Sequence, residues 1–458
     1  MAKFAPALPP SQGSTPVTRL LLALLCIAAL GGTAPAQTWR EIIPREGPAP
    51  KARYNASAIY DPVDHRMVLF GGRTSTSEIE LNDVWSFDLS EETWAEITPD
   101  EGPSPVPRST HNAVYDPVER RMLVWSGQKL KGGSEFFNDV WSFDLTEHTW
   151  SLFEPPDPRP NVRYGTAAVF DPRARSLVTF AGFTDEGRFD DTWAFDPDGN
   201  SWTDISPPGS RPLKRCLHHA VYDRRGHSMI IYGGQSEGAQ KDIWAFDLEE
   251  HSWTELTPEN SPSGRWYAAA VYDARNHRFL MFGGNRGGDA GTTDEVWTFD
   301  LQTNAWTLLQ AQGAPPIKRT RAAAVYVESE DRMVVFGGAE GTSLDDMWSL
   351  EGLSPATAVE NQTPRPGAFS LEQNYPNPCN PSTTIRYSLA AAAQVDLRIH
   401  DVLGRPVRHL AGQRKEAGAY TAVWDGADDR GRPLASGVYF YRLSTGKDRQ
   451  TRRLVLLR

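Results

Sequence analysis

Cysteine is nearly absent. Three occur in 458 residues, Cys26, Cys216 and Cys379. Cys26 falls in an N-terminal stretch that reads as removable, and the other two cannot staple a small secreted scaffold. The fold must therefore be held by buried apolar surface. Long apolar runs are also missing. The longest, Leu20 to Leu30, is too short to span a bilayer as a helix. No His, Cys or acid cluster has metal-ligand spacing, and there is no nucleophile elbow or phosphate-binding loop. No metal or other cofactor is expected, and a catalytic role is disfavoured. Positive charge is in deficit, with a formal net charge of −11. Residues 1–36 carry +2 and residues 369–458 carry +6, which leaves −19 for the segment between them. An acidic body of that size argues against nucleic acid or an anionic membrane as its partner.

Tryptophan, by contrast, is plentiful and periodic. Trp85, Trp141, Trp193, Trp244, Trp297 and Trp348 recur at intervals of 51 to 56 residues. The first five are each followed nine residues later by a second, at Trp94, Trp150, Trp202, Trp253 and Trp306. The sixth copy lacks that partner. It stands at the other end of the array, where Thr38-Trp39-Arg40-Glu41-Ile42 nearly repeats Thr93-Trp94-Ala95-Glu96-Ile97. An array whose last unit is completed by its first segment closes into a ring. The second copy predicts four short strands, Asn112 to Tyr115, Arg121 to Ser126, Val140 to Leu145 and Thr149 to Phe153. The first strand of each copy is small and apolar throughout, as in Ala268-Ala269-Ala270-Val271. This predicts burial on both sides near a crowded centre.

A Gly pair precedes the first Trp in four copies: Phe70-Gly71-Gly72 before Asn82-Asp83-Val84-Trp85, Tyr232-Gly233-Gly234, Phe282-Gly283-Gly284 and Phe336-Gly337-Gly338. Ser126-Gly127 and Ala181-Gly182 stand in the other two. With this order and spacing the chain resembles the kelch family of β-propellers across residues 37 to 355. The resemblance implies an all-β fold: a six-bladed propeller over residues 37–350, sealed by the N-terminal strand.

Residues 1–36 hold Lys3, Arg19, an apolar core and a small-residue cleavage site at Ala34-Pro35-Ala36, the pattern of a secretory signal peptide. Residues 351–368 read as a linker. Residues 369–458 predict a small Ig-like sandwich from strands such as Thr384 to Leu389, Val395 to His400 and Val438 to Leu443. They carry Phe369-Ser370-Leu371-Glu372-Gln373-Asn374-Tyr375-Pro376-Asn377-Pro378, Asp401-Val402-Leu403-Gly404-Arg405, Trp424-Asp425-Gly426 and Ser436-Gly437-Val438-Tyr439. This segment resembles the type A C-terminal sorting domain of the type IX secretion system, itself similar to the Ig-like domain of flagellar hook-capping proteins. The resemblance implies contact with that secretion machinery and export to the medium or outer surface of a Gram-negative cell. No transmembrane span is expected in the mature chain.

Each copy begins its first strand with Arg: Arg53, Arg108, Arg163, Arg215, Arg265 and Arg319. Two readings fit. Six guanidinium groups at the channel mouth would bind an anionic ligand such as an acidic glycan. Alternatively they pair with the acids that open each third strand, Asp83, Asp139, Asp191, Asp242, Glu295 and Asp346. Residues that break the symmetry are better ligand candidates: Tyr54, Tyr164 and Trp266 as stacking surfaces, with Arg188, Arg286 and Arg321 as irregular charges. The face that collects the variable loops is where a protein or glycan ligand is expected. The alternative is a carbohydrate-active enzyme on the same scaffold, of the sialic-acid isomerase or sugar oxidase type. Cys216, His218 and His219 on one strand invite comparison with the copper radical oxidases, but those stand on a seven-bladed ring, and kelch first strands often carry His, as at His111.

Overall fold

The computed structural model describes residues 37–354 and, between 370 and 457, all but 372–373, 375–378, 380, 390, 403 and 417. The expected signal peptide, most of the linker and much of the Phe369 to Pro378 motif lie outside the described residues. Six four-stranded antiparallel sheets fill residues 37–354. Their innermost strands follow one another around a central channel: Ser57–Asp61, Asn112–Asp116, Ala167–Asp171, His219–Asp223, Ala269–Asp273 and Ala323–Val327. Sheet boundaries fall within a residue of the expectations for the second copy, where the strands are Asn112–Asp116, Arg121–Trp125, Val140–Asp144 and Trp150–Phe153.

Closure works as the displaced Trp foretells. Thr38–Ile42 pairs with Met347–Glu351 and supplies the sixth sheet's outer strand, with Trp39 opposite Leu350. In the first sheet Trp94 stands opposite Phe87 in the same register. Each outer Trp then crosses to the preceding blade and packs on the aromatic just before its Gly pair. Trp94 lies 5.1 Å from Phe336, Trp150 lies 4.9 Å from Phe70, and Trp39 lies 4.9 Å from Phe282, centroid to centroid. Large rings thus fill the wedge that opens as radial blades diverge.

Two belts of backbone hydrogen bonds run round the ring. In the first, the residue two after each strand-opening Arg donates its N–H to the same position of the preceding blade. The belt runs through Asn55, Thr110, Gly165, Leu217, Tyr267 and Arg321 and back to Asn55, at 2.6–3.2 Å. All six hold φ between 55° and 63°. In the second, the second Gly of each pair donates to the carbonyl of the next blade's Arg, from Gly72 to Arg108 and finally from Gly338 to Arg53 at 2.9 Å. A Cβ on this Gly would strike the neighbouring strand, for instance at 2.7 Å from the His218 Cβ for Gly234. The belts satisfy backbone groups that the sheets leave open near the axis.

Expected two-sided burial of the inner strands needs correction. Alternate residues face the channel and stay partly exposed, as Ala270 does beside buried Ala269. The reason is geometric: six strands around an axis leave a bore that alanines narrow but do not fill.

The C-terminal unit is a sandwich of two sheets. One runs Ser370–Leu371, Thr383–Leu389, Gly418–Trp424, and the other Pro406–Ala411, Ala393–His400, Gly437–Thr445, Arg449–Leu456, with Arg414–Lys415 also pairing with Ala393–His400. Trp424, Tyr441, Ile385, Leu397 and Leu454 form its core at 0 % exposure. Among the described residues no helix is long and apolar enough to cross a membrane.

Candidate functional site

The loop-bearing face is defined by where the blades begin. The residue after each Arg bridges to the residue after each Gly pair, Tyr54 with Arg73 and Trp266 with Asn285 among them. Strand-opening arginines and the loops between second and third strands therefore share one face.

The six arginines turn into the blades and do not ring the channel mouth. Arg53, Arg108, Arg163, Arg215, Arg265 and Arg319 are 0–1 % exposed. Each uses its whole fork. Nε of Arg319 donates to the Ile317 carbonyl at 3.1 Å and Nη1 to the Gly337 carbonyl at 3.0 Å. Its two terminal nitrogens meet both oxygens of Asp346 at 2.6 and 2.7 Å, and Trp348 Nε1 donates to the same carboxylate at 2.7 Å. The motif recurs in every blade, with Glu295 taking a single Arg265 contact of 2.7 Å in the fifth. Burial alone would raise the Asp346 carboxyl, but hydrogen bonds from Arg319 outweigh it and hold the group below the usual carboxylate range. Asp242 is held down by Arg215 in the same way.

Arg321 is built differently. It sits on the channel belt, with its guanidinium carbon 4.5 Å from the Tyr267 ring centroid and 5.3 Å from that of Tyr54. Among the described residues no acid lies within ion-pair distance of it, and its Nε has no hydrogen-bond partner. Below it opens a cavity of about 150 Å³, lined among others by Asn55, Thr110, His111, His218, Tyr267 and Arg321. Burial raises the Tyr267 phenol, against the opposing pull of Arg321. His218 is 4 % exposed with neither ring nitrogen bonded. Burial, followed by the nearby Arg215, pushes it well below its ordinary range. Burial and Arg108 take His111 down to about 3, and burial and Arg265 take His219 down to about 4. The mouth thus sets Arg321, without a carboxylate partner, among neutral polar groups.

The model of the KLHDC2/KLHL20/DRC7 kelch-repeats domain matches residues 33–222, 97–276 and 200–355. The chain belongs to the kelch-repeat family. A model of the FlgD Ig-like domain matches residues 380–448. Among curated relatives, the chain is similar to multiple epidermal growth factor-like domains protein 8 of Mus musculus, 24 % identical over 63 % of this chain and 11 % of that protein. It is similar to the leucine-zipper-like transcriptional regulator 1 homolog of Drosophila melanogaster, 25 % identical over 61 % of this chain and 29 % of that one. It also resembles the host cell factor homolog hcf-1 of Caenorhabditis elegans, 22 % identical over 74 % and 47 %. The chain spans less than half the length of these relatives.

Around the kelch mouth the aromatic candidates are partly occupied. Tyr164 stacks on Phe136 at 5.5 Å and meets Phe183 edge-on. Trp266 lies under the loop at Gly287. Tyr54 carries Arg321. Cys216 is buried, and burial raises its thiol while Arg188 beside it works the other way. Residues missed in sequence are Asn55, Thr110 and Tyr267. Their common signal is position, two after each Arg, where the six copies disagree most in residue type.

Proposed function

We propose that the propeller is a protein-binding module whose partner seats over the channel mouth on the loop-bearing face. We further propose that the C-terminal domain acts as a type IX sorting domain and delivers the chain to the surface of a Gram-negative cell. The binding reading is carried by Arg321, a guanidinium held between two aromatic rings without a carboxylate, in a protein where six other arginines are fully paired. A half-buried cation in that setting offers a polar anchor to an incoming chain. Four aliphatic side chains on the links of the same face, Val106, Val162, Leu213 and Ile317, are 38–62 % exposed and offer an apolar rim. A kelch propeller is consistent with such a role.

The test places a photoreactive residue at Tyr54 on the loop face and at Val63 on the opposite face, in the producing cell. A protein adduct at Tyr54 only, lost in Arg321→Ala at unchanged melting temperature, is the expected outcome. Equal labelling from both faces contradicts it. Saturable binding on a glycan array, weakened by Trp266→Ala, would instead assign the mouth to a sugar. Removing residues 369–458 is expected to leave the protein inside the cell envelope, and normal surface display without them would exclude the sorting role.

A further inference from the structure

We propose that the cavity beneath Arg321 binds a small free oxyanion, of the size of sulfate, phosphate or acetate. The inference deepens the reading of the mouth as a binding face and rests on the same arginine. Six residues meet at the first backbone belt, and their side chains divide into two arcs. Blades five, six, one and two contribute Tyr267, Arg321, Asn55 and Thr110, an unbroken polar arc. Blades three and four contribute Gly165 and Leu217. A Cβ on Gly165 would lie 2.5 Å from Leu217 Cδ2, so the leucine leans over the glycine and fills the apolar side. What remains open is the side that carries the donors.

The lining holds many donors and no acid. Arg321 supplies the charge, and His218 supplies an independent pointer. It lines the cavity, is 4 % exposed, and has no partner on either ring nitrogen. A neutral imidazole still carries one N–H, and a buried donor left unmet is costly. His219 accepts the Ala268 N–H on Nε2 at 2.8 Å, which leaves its own proton on Nδ1. Donors converging without a carboxylate select a ligand that only accepts, and the guanidinium selects a negative one. The acids that open the third strands do not oppose it, because each is neutralised by its own arginine. Volume sets the size. About 150 Å³ is room for roughly five waters at about 30 Å³ each. That admits a tetrahedral oxyanion or a short carboxylate and excludes a sugar ring.

Equilibrium dialysis of the purified whole chain against labelled sulfate, phosphate and acetate tests the proposal. At least one of them is expected to bind saturably, one ion per chain, in the presence of excess chloride. Arg321→Gln should weaken that binding about tenfold or more. Arg211→Gln, at a partly exposed arginine on a link of the same face that pairs with Asp190, should leave it unchanged. His218→Leu removes the buried donor and keeps the charge. It should also weaken binding, and it decides the matter if Arg321→Gln does not fold. No saturable binding of any of the three ions would overturn the proposal. So would undiminished binding in Arg321→Gln, or in His218→Leu where the first variant is unfolded. A protein adduct at Tyr54 without oxyanion binding would leave the partner seat standing and remove only the ion.

Discussion

Arg319 shows why this chain repeats an arginine where a ligand site would not need one. A buried guanidinium needs partners for its donors, and the chain meets four of the five N–H groups of Arg319 with two carbonyls and one carboxylate that also accepts from Trp348. Arg319→Ala should cost about 3 kcal/mol, toward the low end for broken buried pairs because a solvent-facing edge of Asp346 remains wet. Urea unfolding measures it. The pairing was one of two readings of the sequence, since arginines and acids recur in step. What sequence could not decide was direction, whether the fork turns inward to the third strand or outward to the mouth. That depends on χ angles and on the carbonyls of residues such as Ile317. The channel histidines give a second prediction. His111 titrates at about 3 and His219 at about 4 in the fold, against 6.5 in the unfolded chain. Between those values only the unfolded chain takes protons, so stability is complete above pH 6.5 and drains as pH falls toward about 3. The unfolding free energy followed across that range should fall less steeply in a His111→Leu, His218→Leu variant.

At the scale of elements, the Gly pair proves to be two different constraints. Its first position reads Ser126 and Ala181 in two copies, and both still hold positive φ, 65° and 59°. The conformation survives without glycine. The second position is always Gly, with φ from 94° to 119°, and there the approaching inner strand leaves no room for a Cβ. Gly234→Ala should therefore destabilise the propeller by more than the roughly 1 kcal/mol of an ordinary glycine site. Thermal melting of the two forms compares them. Degenerate copies thus record which half of a turn is replaceable, a distinction hidden until the backbone is seen. Among the C-terminal strands, Thr383–Leu389, Ala393–His400 and Gly437–Thr445 were legible from alternation, whereas Pro406–Ala411 was not. Its opening proline and irregular pairing with Ala393–His400 break the pattern that marks a strand.

At the scale of the molecule, the outline came from spacing alone, because the Trp positions report blade and closure together. The mouth did not. Arg321 drew notice as an irregular charge, but Tyr267 and Asn55, far apart in sequence, meet only through a belt that exists once the ring is shut. Trp39→Ala should cost about 3–5 kcal/mol, as an outer Trp in any blade would. Closure itself is tested most directly by a disulfide. Arg40 and Ser349 are cross-strand partners in the sixth sheet, as Ser86 and Ala95 are in the first. Cysteines placed at residues 40 and 349 should oxidise as fully as cysteines at 86 and 95. If the first-sheet pair bridges while the thiols at 40 and 349 stay free, the ring is open and the mouth described here does not exist.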